Sequence, residues 1–238
     1  MIHGMILARN EKTRKLETEY KIFTNALKSL NVLCDRVVAL DDNSDDETAE
    51  HMKSYDFEVY KSSERLWNKN EKRQRENLWN LTISKAKKND WIICLDSDEI
   101  VIKEHIPYIR YLLNSLTDKV DGIGFKLFDM WSMTHYREDS YWSAHKNYWC
   151  MAVRYDERKY FWHNKALHCG RFPANASRSM LPTMIPIKHY GWALEEDRKS
   201  KYERYMKVDS EGKNGIIEQY QSILDENPSL VKFGGSDR

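Results

Sequence analysis

Over the first hundred residues of this chain, short unbroken apolar runs alternate with longer stretches whose apolar residues recur every three or four positions. Met5-Ile6-Leu7-Ala8, Val37-Val38-Ala39-Leu40 and Trp91-Ile92-Ile93-Cys94-Leu95 contain no polar break, the pattern of strands buried on both faces of a parallel sheet. Phe57-Glu58-Val59-Tyr60 predicts a shorter strand between the second and the last of these. Leu16, Tyr20, Phe23, Leu27 and Leu30 mark one face of a helix. A second helix is expected after the acidic run that follows Leu40, with Ser44 or Asp45 capping it and Glu47 in its first turn. A charged helix is expected over residues 71–88. The resulting β-α-β-α-β-α-β rhythm predicts an α/β fold, a Rossmann-like, mostly parallel central sheet flanked by helices with right-handed crossovers.

Past Glu99 the pattern changes. Residues 105–116 read as a helix, 122–128 as a strand, 186–190 as a short strand and 194–208 as a strongly charged helix. From Phe128 to Phe172 the chain carries twelve aromatic residues without clean periodicity, and strands are expected at 148–155 and around 160–162. Most of those rings belong in a core; any on a cleft wall would suit stacking against sugar rings or bases. The last residues, from Phe233, read as a loose tail. No linker or repeat divides the chain.

With 41% hydrophobic and 32% charged residues, the composition is that of an ordinary folded chain rather than a disordered one. A net charge of +1 creates no demand for nucleic acid or an acidic membrane. The four cysteines are far apart and form no CxxC pair, which argues against a disulfide framework or zinc site and fits a reducing compartment. No run approaches the roughly 18 apolar residues of a membrane span, and the N-terminus lacks a signal peptide's apolar stretch. The expectation is a cytoplasmic protein with no transmembrane segment. The first strand is not followed by G-x-G-x-x-G, which disfavours a dinucleotide enzyme.

The candidate chemistry lies at the ends of the strands. Arg9-Asn10-Glu11, Asp41-Asp42 and Asp96-Ser97-Asp98-Glu99 each follow an apolar run, and a parallel sheet brings all three to the carboxyl edge where open α/β sheets bind ligands. Carboxylates packed this closely oppose folding unless a cation neutralises them. Alternation along an extended backbone points Asp96 and Asp98 one way and Ser97 the other. Two hard oxygen donors suit Mg²⁺ or Mn²⁺ holding a nucleoside diphosphate. Asp41 and Asp42 can accept hydrogen bonds from ribose hydroxyls or a base. The plainer alternative for D-x-D is an acidic turn capping the next helix.

These three segments resemble the successive signatures of family 2 glycosyltransferases: Met5 to Glu11, Leu40 to Thr48, and Asp90 to Glu99. The likeness continues through Tyr136-Arg137-Glu138-Asp139, Leu167 to Pro173, Lys188-His189-Tyr190-Gly191, Glu196-Asp197-Arg198 and Lys201-Tyr202, which resemble a subgroup of bacteria and their phages. The resemblance implies a GT-A fold, with residues 1–100 as the nucleotide-sugar-binding half and 101–238 as an aromatic-rich acceptor-side half of the same domain. It implies a nucleotide-sugar donor, with UDP expected, and Mn²⁺ or Mg²⁺. By the same resemblance Ala8, Arg9 and Glu11 line the nucleotide pocket and Asp42 contacts the base. Arg73 lies near the diphosphate, Asp96 and neighbouring Ser97 at ribose or metal. Asp98 coordinates the metal, and His189 is a further metal or phosphate ligand.

Family 2 enzymes mostly invert the anomeric carbon, which calls for a general base on the acceptor hydroxyl. Asp139, in a polar insert between aromatics, is the first candidate and His168 the second. The acceptor is open among glycan, lipid-linked intermediate, protein side chain and modified DNA base. The Lys199, Lys201, Arg204 and Lys207 cluster either touches a nucleic-acid backbone or forms a solvated helix face. Two other activities stay open: a sugar-1-phosphate nucleotidyltransferase and a catalytically silent nucleotide- or sugar-binding module.

Overall fold

The apolar runs become neighbouring strands in a computed structural model that describes residues 1–66, 69–165, 169–213 and 215–234. Strands β1 (Ile2–Ala8), β2 (Arg36–Asp41), β3 (Glu58–Lys61) and β4 (Trp91–Asp96) lie parallel in the order β3-β2-β1-β4. Because side chains alternate across a strand, each run feeds two cores. Ile2, Ile6, Val37, Ala39, Trp91, Ile93 and Leu95 pack on one face, beside α2 (Ile22–Leu33) and α5 (Ile106–Ser115). Met5, Leu7, Val38, Leu40, Ile92 and Cys94 pack on the other, with Leu78 and Trp79 of α4 (Glu71–Ile83). Each fully buried aliphatic side chain contributes about 1.5–3 kcal/mol by leaving water.

The second half of the chain extends this sheet instead of founding another. Strand β8 (Trp149–Arg154) pairs antiparallel with β4 and with β6 (Gly122–Asp129). Strand β9 (Met180–His189) runs parallel to β6, and β5 (Glu99–Val101) closes the edge antiparallel to β9. The eight-stranded order is β3-β2-β1-β4-β8-β6-β9-β5. A small antiparallel pair, β7 (His135–Arg137) with β10 (Leu230–Lys232), lies outside it. Helix α6 (Glu195–Val208) and the short α7 (Ile217–Ser222) follow β9.

Several expectations are corrected. The helix anticipated from Leu16 to Leu30 is two, α1 (Lys15–Thr18) and α2, separated where Lys21 takes a left-handed φ of 57°, and Tyr20 is exposed. Helix α3 (Thr48–Lys53) has Glu47 at its N-cap, not Ser44 or Asp45; the Asp46 carboxylate accepts from the Thr48 amide at 3.0 Å. Helix α4 ends at Ile83, short of Lys88. Residues 160–162 form no strand. Strand β9 starts six residues before the expected Pro186, since Pro182 and Pro186 broke its sequence pattern while the register shift against β6 accommodates them. Asp96 ends β4, and Ser97-Asp98 turn the chain into β5, so neither strand alternation nor a helix cap governs the acidic tip. Of the tail, Phe233 packs at 5.0 Å between ring centroids on Phe128.

Candidate functional site

A cavity of about 660 Å³ opens where β1, β2 and β4 end, lined by Leu7 to Glu11, Asp42, Asp96, Ser97 and Asp98. The three polar clusters therefore converge. Parallel pairing does this, because Ala8 lies in register with Asp41, and Leu7 with Asp96. The opposite wall comes from late in the chain: His189, Trp192, Asp197, Ser200, Lys201, Arg204 and Tyr205.

At the β1–β2 side, the loops are locked to each other. Arg9 donates to the Asp42 carbonyl at 2.9 Å and to the Asn43 carbonyl, and pairs with Asp45 at 3.2 Å. Asn10, at a left-handed φ of 50°, donates its amide to Ser44 Oγ at 3.0 Å and accepts from the Asp45 amide at 2.9 Å. Asp42 is fully buried and its Oδ1 accepts from the Leu66 amide at 2.9 Å. Asp41 is also fully buried but lies off the cavity lining, accepting from the amide and hydroxyl of Ser44. In this structure Asp41, expected at the ligand, shapes the turn.

The acidic tip is divided between two environments. Asp96 is paired with Arg75 at 2.8 Å and Arg171 at 3.3 Å. Burial raises its pKa, yet these two guanidinium groups outweigh burial and hold it far below the usual carboxylate range. Arg171 also forks onto Glu99, 2.7 Å from Oε2 and 2.5 Å from Oε1, and Glu99 Oε2 accepts from the Asp96 amide at 2.9 Å. Ser97 donates to Glu11 at 2.7 Å, joining the β4 turn to the β1 loop. Burial raises the Glu11 pKa despite the neighbouring Arg14.

Asp98 faces His189 instead, Oδ1 to Nε2 at 3.6 Å. Sheet register explains the meeting of residues 91 apart in sequence. In β5–β9 pairing His189 lies opposite Glu99, next to Asp98, and in β6–β9 pairing it lies opposite Asp129. The His189 Nδ1 is 2.7 Å from Asp129 Oδ1, which fixes the ring and turns Nε2 toward Asp98. Burial opposes charge on this imidazole, but the Asp98 charge and the Asp129 hydrogen bond prevail and its pKa is raised. Burial likewise raises the Asp98 pKa, and His189, Lys201 and Arg14 together bring it below the usual value.

Among the described residues, no three His, Cys, Asp or Glu side chains are grouped as a ready metal cage. The donors that fit a divalent ion are Asp98 and His189, a carboxylate and an imidazole oriented by a second carboxylate. Asp96 does not join them here, since both of its arginines claim it.

Arg73 is corrected. It sits outside the lining, bonded to Glu64 at 2.9 Å, whereas Arg75 lines the cavity. Two residues along a helix reverse the face presented. Leu78, Trp79 and Thr82, three, four and seven positions after Arg75, mark the inner face, so the periodicity carried the signal. Asp139 also lies off the lining, held by Arg137 at 2.6 Å and by the Tyr141 and Trp142 amides. His168 falls outside the described residues. The aromatic segment from 128 to 172 contributes no ring to this cavity among the described residues; the cavity's rings are Trp192 and Tyr205. Sequence reasoning missed Arg14, Arg65, Glu71, Gln74 and Ser200. The spacing of α6, with residues 197, 201, 204, 205 and 208 on one face, was the available sign.

A family model described as Glycosyl transferase family 2 matches residues 6–172. No curated protein matches the chain in sequence. Among solved structures, the chain is similar to S. aureus TarS, at 16% identity over 94% of this chain and 42% of that one, with a TM-score of 0.52. It is also similar to S. aureus TarS 1-349 in complex with UDP-GlcNAc, at 15% identity over 94% of this chain and 70% of that one, TM-score 0.51. For the same TarS segment in complex with UDP the values are 14%, 94%, 69% and 0.50. The chain thus spans less than half of the first of these proteins, and at these identities the likeness is one of fold.

Proposed function

We propose, from the premise that this chain belongs to glycosyl transferase family 2, that it moves a sugar from a nucleoside diphosphate donor to an acceptor hydroxyl. The observation that carries the reading is the convergence of the β1, β2 and β4 ends on one 660 Å³ cavity with acid and base chemistry on facing walls. UDP is the expected nucleotide, supported by the fold likeness to a protein solved with UDP and with UDP-GlcNAc.

In this reading Ala8, Arg9, Glu11 and Asp42 form the nucleotide end. Arg9 acts by holding the Asp42 and Asn43 backbone in place. Asp98 and His189 hold Mn²⁺ or Mg²⁺, and a divalent ion there supplies Lewis-acid stabilisation of a departing diphosphate. Asp129 keeps the His189 ring directed at that position. Asp96, gripped by Arg75 and Arg171, serves as the fixed negative post that keeps both guanidinium groups at the cavity floor. Residues 1–100 supply the nucleotide half, and residues 101–238 the acceptor half, with β9 and α6 reaching back to complete the donor site. Inversion by in-line attack is the expected stereochemistry. No helix among the described residues is long and apolar enough to cross a membrane; a cytoplasmic location is part of the proposal.

The test is donor hydrolysis measured over UDP-, GDP-, ADP- and CDP-sugars with and without manganese. Release of one nucleoside diphosphate, stimulated by metal and lost in Asp98→Asn, is expected. Absence of release and of nucleotide binding across the panel would overturn the proposal.

A further inference from the structure

The basic residues of α6 divide into two sets. Lys199 pairs with Glu195 at 2.6 Å on the exposed side, and Lys207 is exposed. Lys201 and Arg204 line the cavity, on the face that also carries Asp197, Tyr205 and Val208. No residue of α6 is buried, so this face is turned to the cavity rather than sealed into a core. The helix is nevertheless anchored at its start. Arg198 donates to the carbonyls of Trp131 at 3.1 Å and Trp192 at 2.6 Å, and Asp197 pairs with Arg14 at 3.4 Å. A clamped first turn aims Lys201.

The Lys201 ammonium lies 4.2 Å from the centroid of the Trp192 ring. The ring face attracts the charge but offers no acceptor to its three donors. Asp98 and Asp197 act on the Lys201 charge, yet among the described residues neither carboxylate comes into ion-pair contact with its ammonium. Gly191 makes the approach possible. A Cβ there would stand 2.3 Å from Lys201 Nζ, 2.7 Å from Asp98 Oδ2 and 2.8 Å from His189 Nε2, so three polar atoms close on one point. Arg14 and Arg204 line the same cavity and add positive charge around it.

We infer that Lys201 is the protein's own cation for the terminal phosphate of the donor diphosphate, standing beside Asp98 and His189. The inference rests on the nucleotide-sugar reading above and names a residue outside that reading. An ammonium on a flexible stem is a compact point charge that can place all three donors on phosphate oxygens. Held over an indole and outside ion-pair contact with Asp98, it gains from an arriving phosphate the direct acceptors that the ring face does not supply.

Calorimetric titration of the whole chain with UDP and with UMP, in EDTA and again in manganese, tests this. GDP, ADP and CDP with their monophosphates stand in if another base is preferred. In EDTA the wild type is expected to bind the diphosphate more tightly than the monophosphate. Lys201→Met is expected to weaken the diphosphate by about tenfold or more, the scale of one charge-assisted contact, and to leave the monophosphate unchanged. Lys201→Arg should keep part of the diphosphate affinity. Thermal melting reports whether Lys201→Met folds, and Lys201→Gln replaces it if it does not. Wild-type diphosphate affinity in the variant, or an equal loss for diphosphate and monophosphate, overturns the inference and leaves the donor reading standing. A wild type that binds none of these nucleotides overturns both.

Discussion

Replacing Arg171 by Met strips the buried acidic tip of its main counter-charge. Glu99 is 1% exposed, and Arg171 meets both of its oxygens, at 2.7 and 2.5 Å. Without the guanidinium, Glu99 keeps the Asp96 amide at 2.9 Å as its recorded donor, and Asp96 keeps Arg75 at 2.8 Å. Removing one partner of a buried pair leaves an uncompensated charge and costs about 3–5 kcal/mol. For a chain of this length that is a drop in melting temperature of roughly 6–20 °C. Urea titration followed by circular dichroism gives the free energy directly. The double variant Arg171→Met/Glu99→Gln removes the stranded charge and should regain more than half of the loss, because an absent pair is far less costly than a broken one. A single variant within about 1 kcal/mol of wild type, or a double variant no more stable than the single, would refute the claim that Arg171 neutralises this tip.

Other outcomes follow from the same structure. Among the described residues both side-chain amide atoms of fully buried Gln74 lack a partner, so Gln74→Met should raise urea stability by about 1–3 kcal/mol; a loss would show the amide is satisfied in solution. The Arg36 hydrogen bond, aided by Lys85, holds the Glu58 pKa at about 2 against an ordinary 4.5, so its stabilisation is present above pH 4.5 and lost as pH falls toward 2. Glu58→Gln should therefore flatten the acid-stability profile within that window, as followed by urea midpoints at successive pH. Since the His189 pKa is raised and a metal needs the neutral ring, manganese affinity by calorimetry should keep climbing as pH rises through and beyond 6.5; a pH-independent affinity would exclude His189 as a ligand.

The sequence alone determined what depends on short-range pattern. The uninterrupted runs at residues 5–8, 37–40 and 91–95 read as strands buried on two faces, and their alternation with helical segments predicted a parallel layout with their polar sequels at one edge. The presence of Ala8, Arg9, Glu11, Asp42, Asp96, Ser97 and Asp98 around one cavity follows from this. Short-range pattern also identified the His189 segment, but not its partner. What only the tertiary structure decided is which charges face which. Asp96 and Asp98 are two residues apart, yet a turn after β4 gives one to a pair of arginines and the other to an imidazole. Asp139 read as available and is paired with Arg137, while Lys201, read as touching a nucleic-acid backbone or as part of a solvated helix face, lines the cavity. Pairing across 90 residues of sequence set the Asp129–His189–Asp98 line, through strand registers that no local periodicity encodes. Local sequence limits the backbone to a few conformations, but the electrostatic role of a side chain is fixed by neighbours that arrive only when the sheet closes.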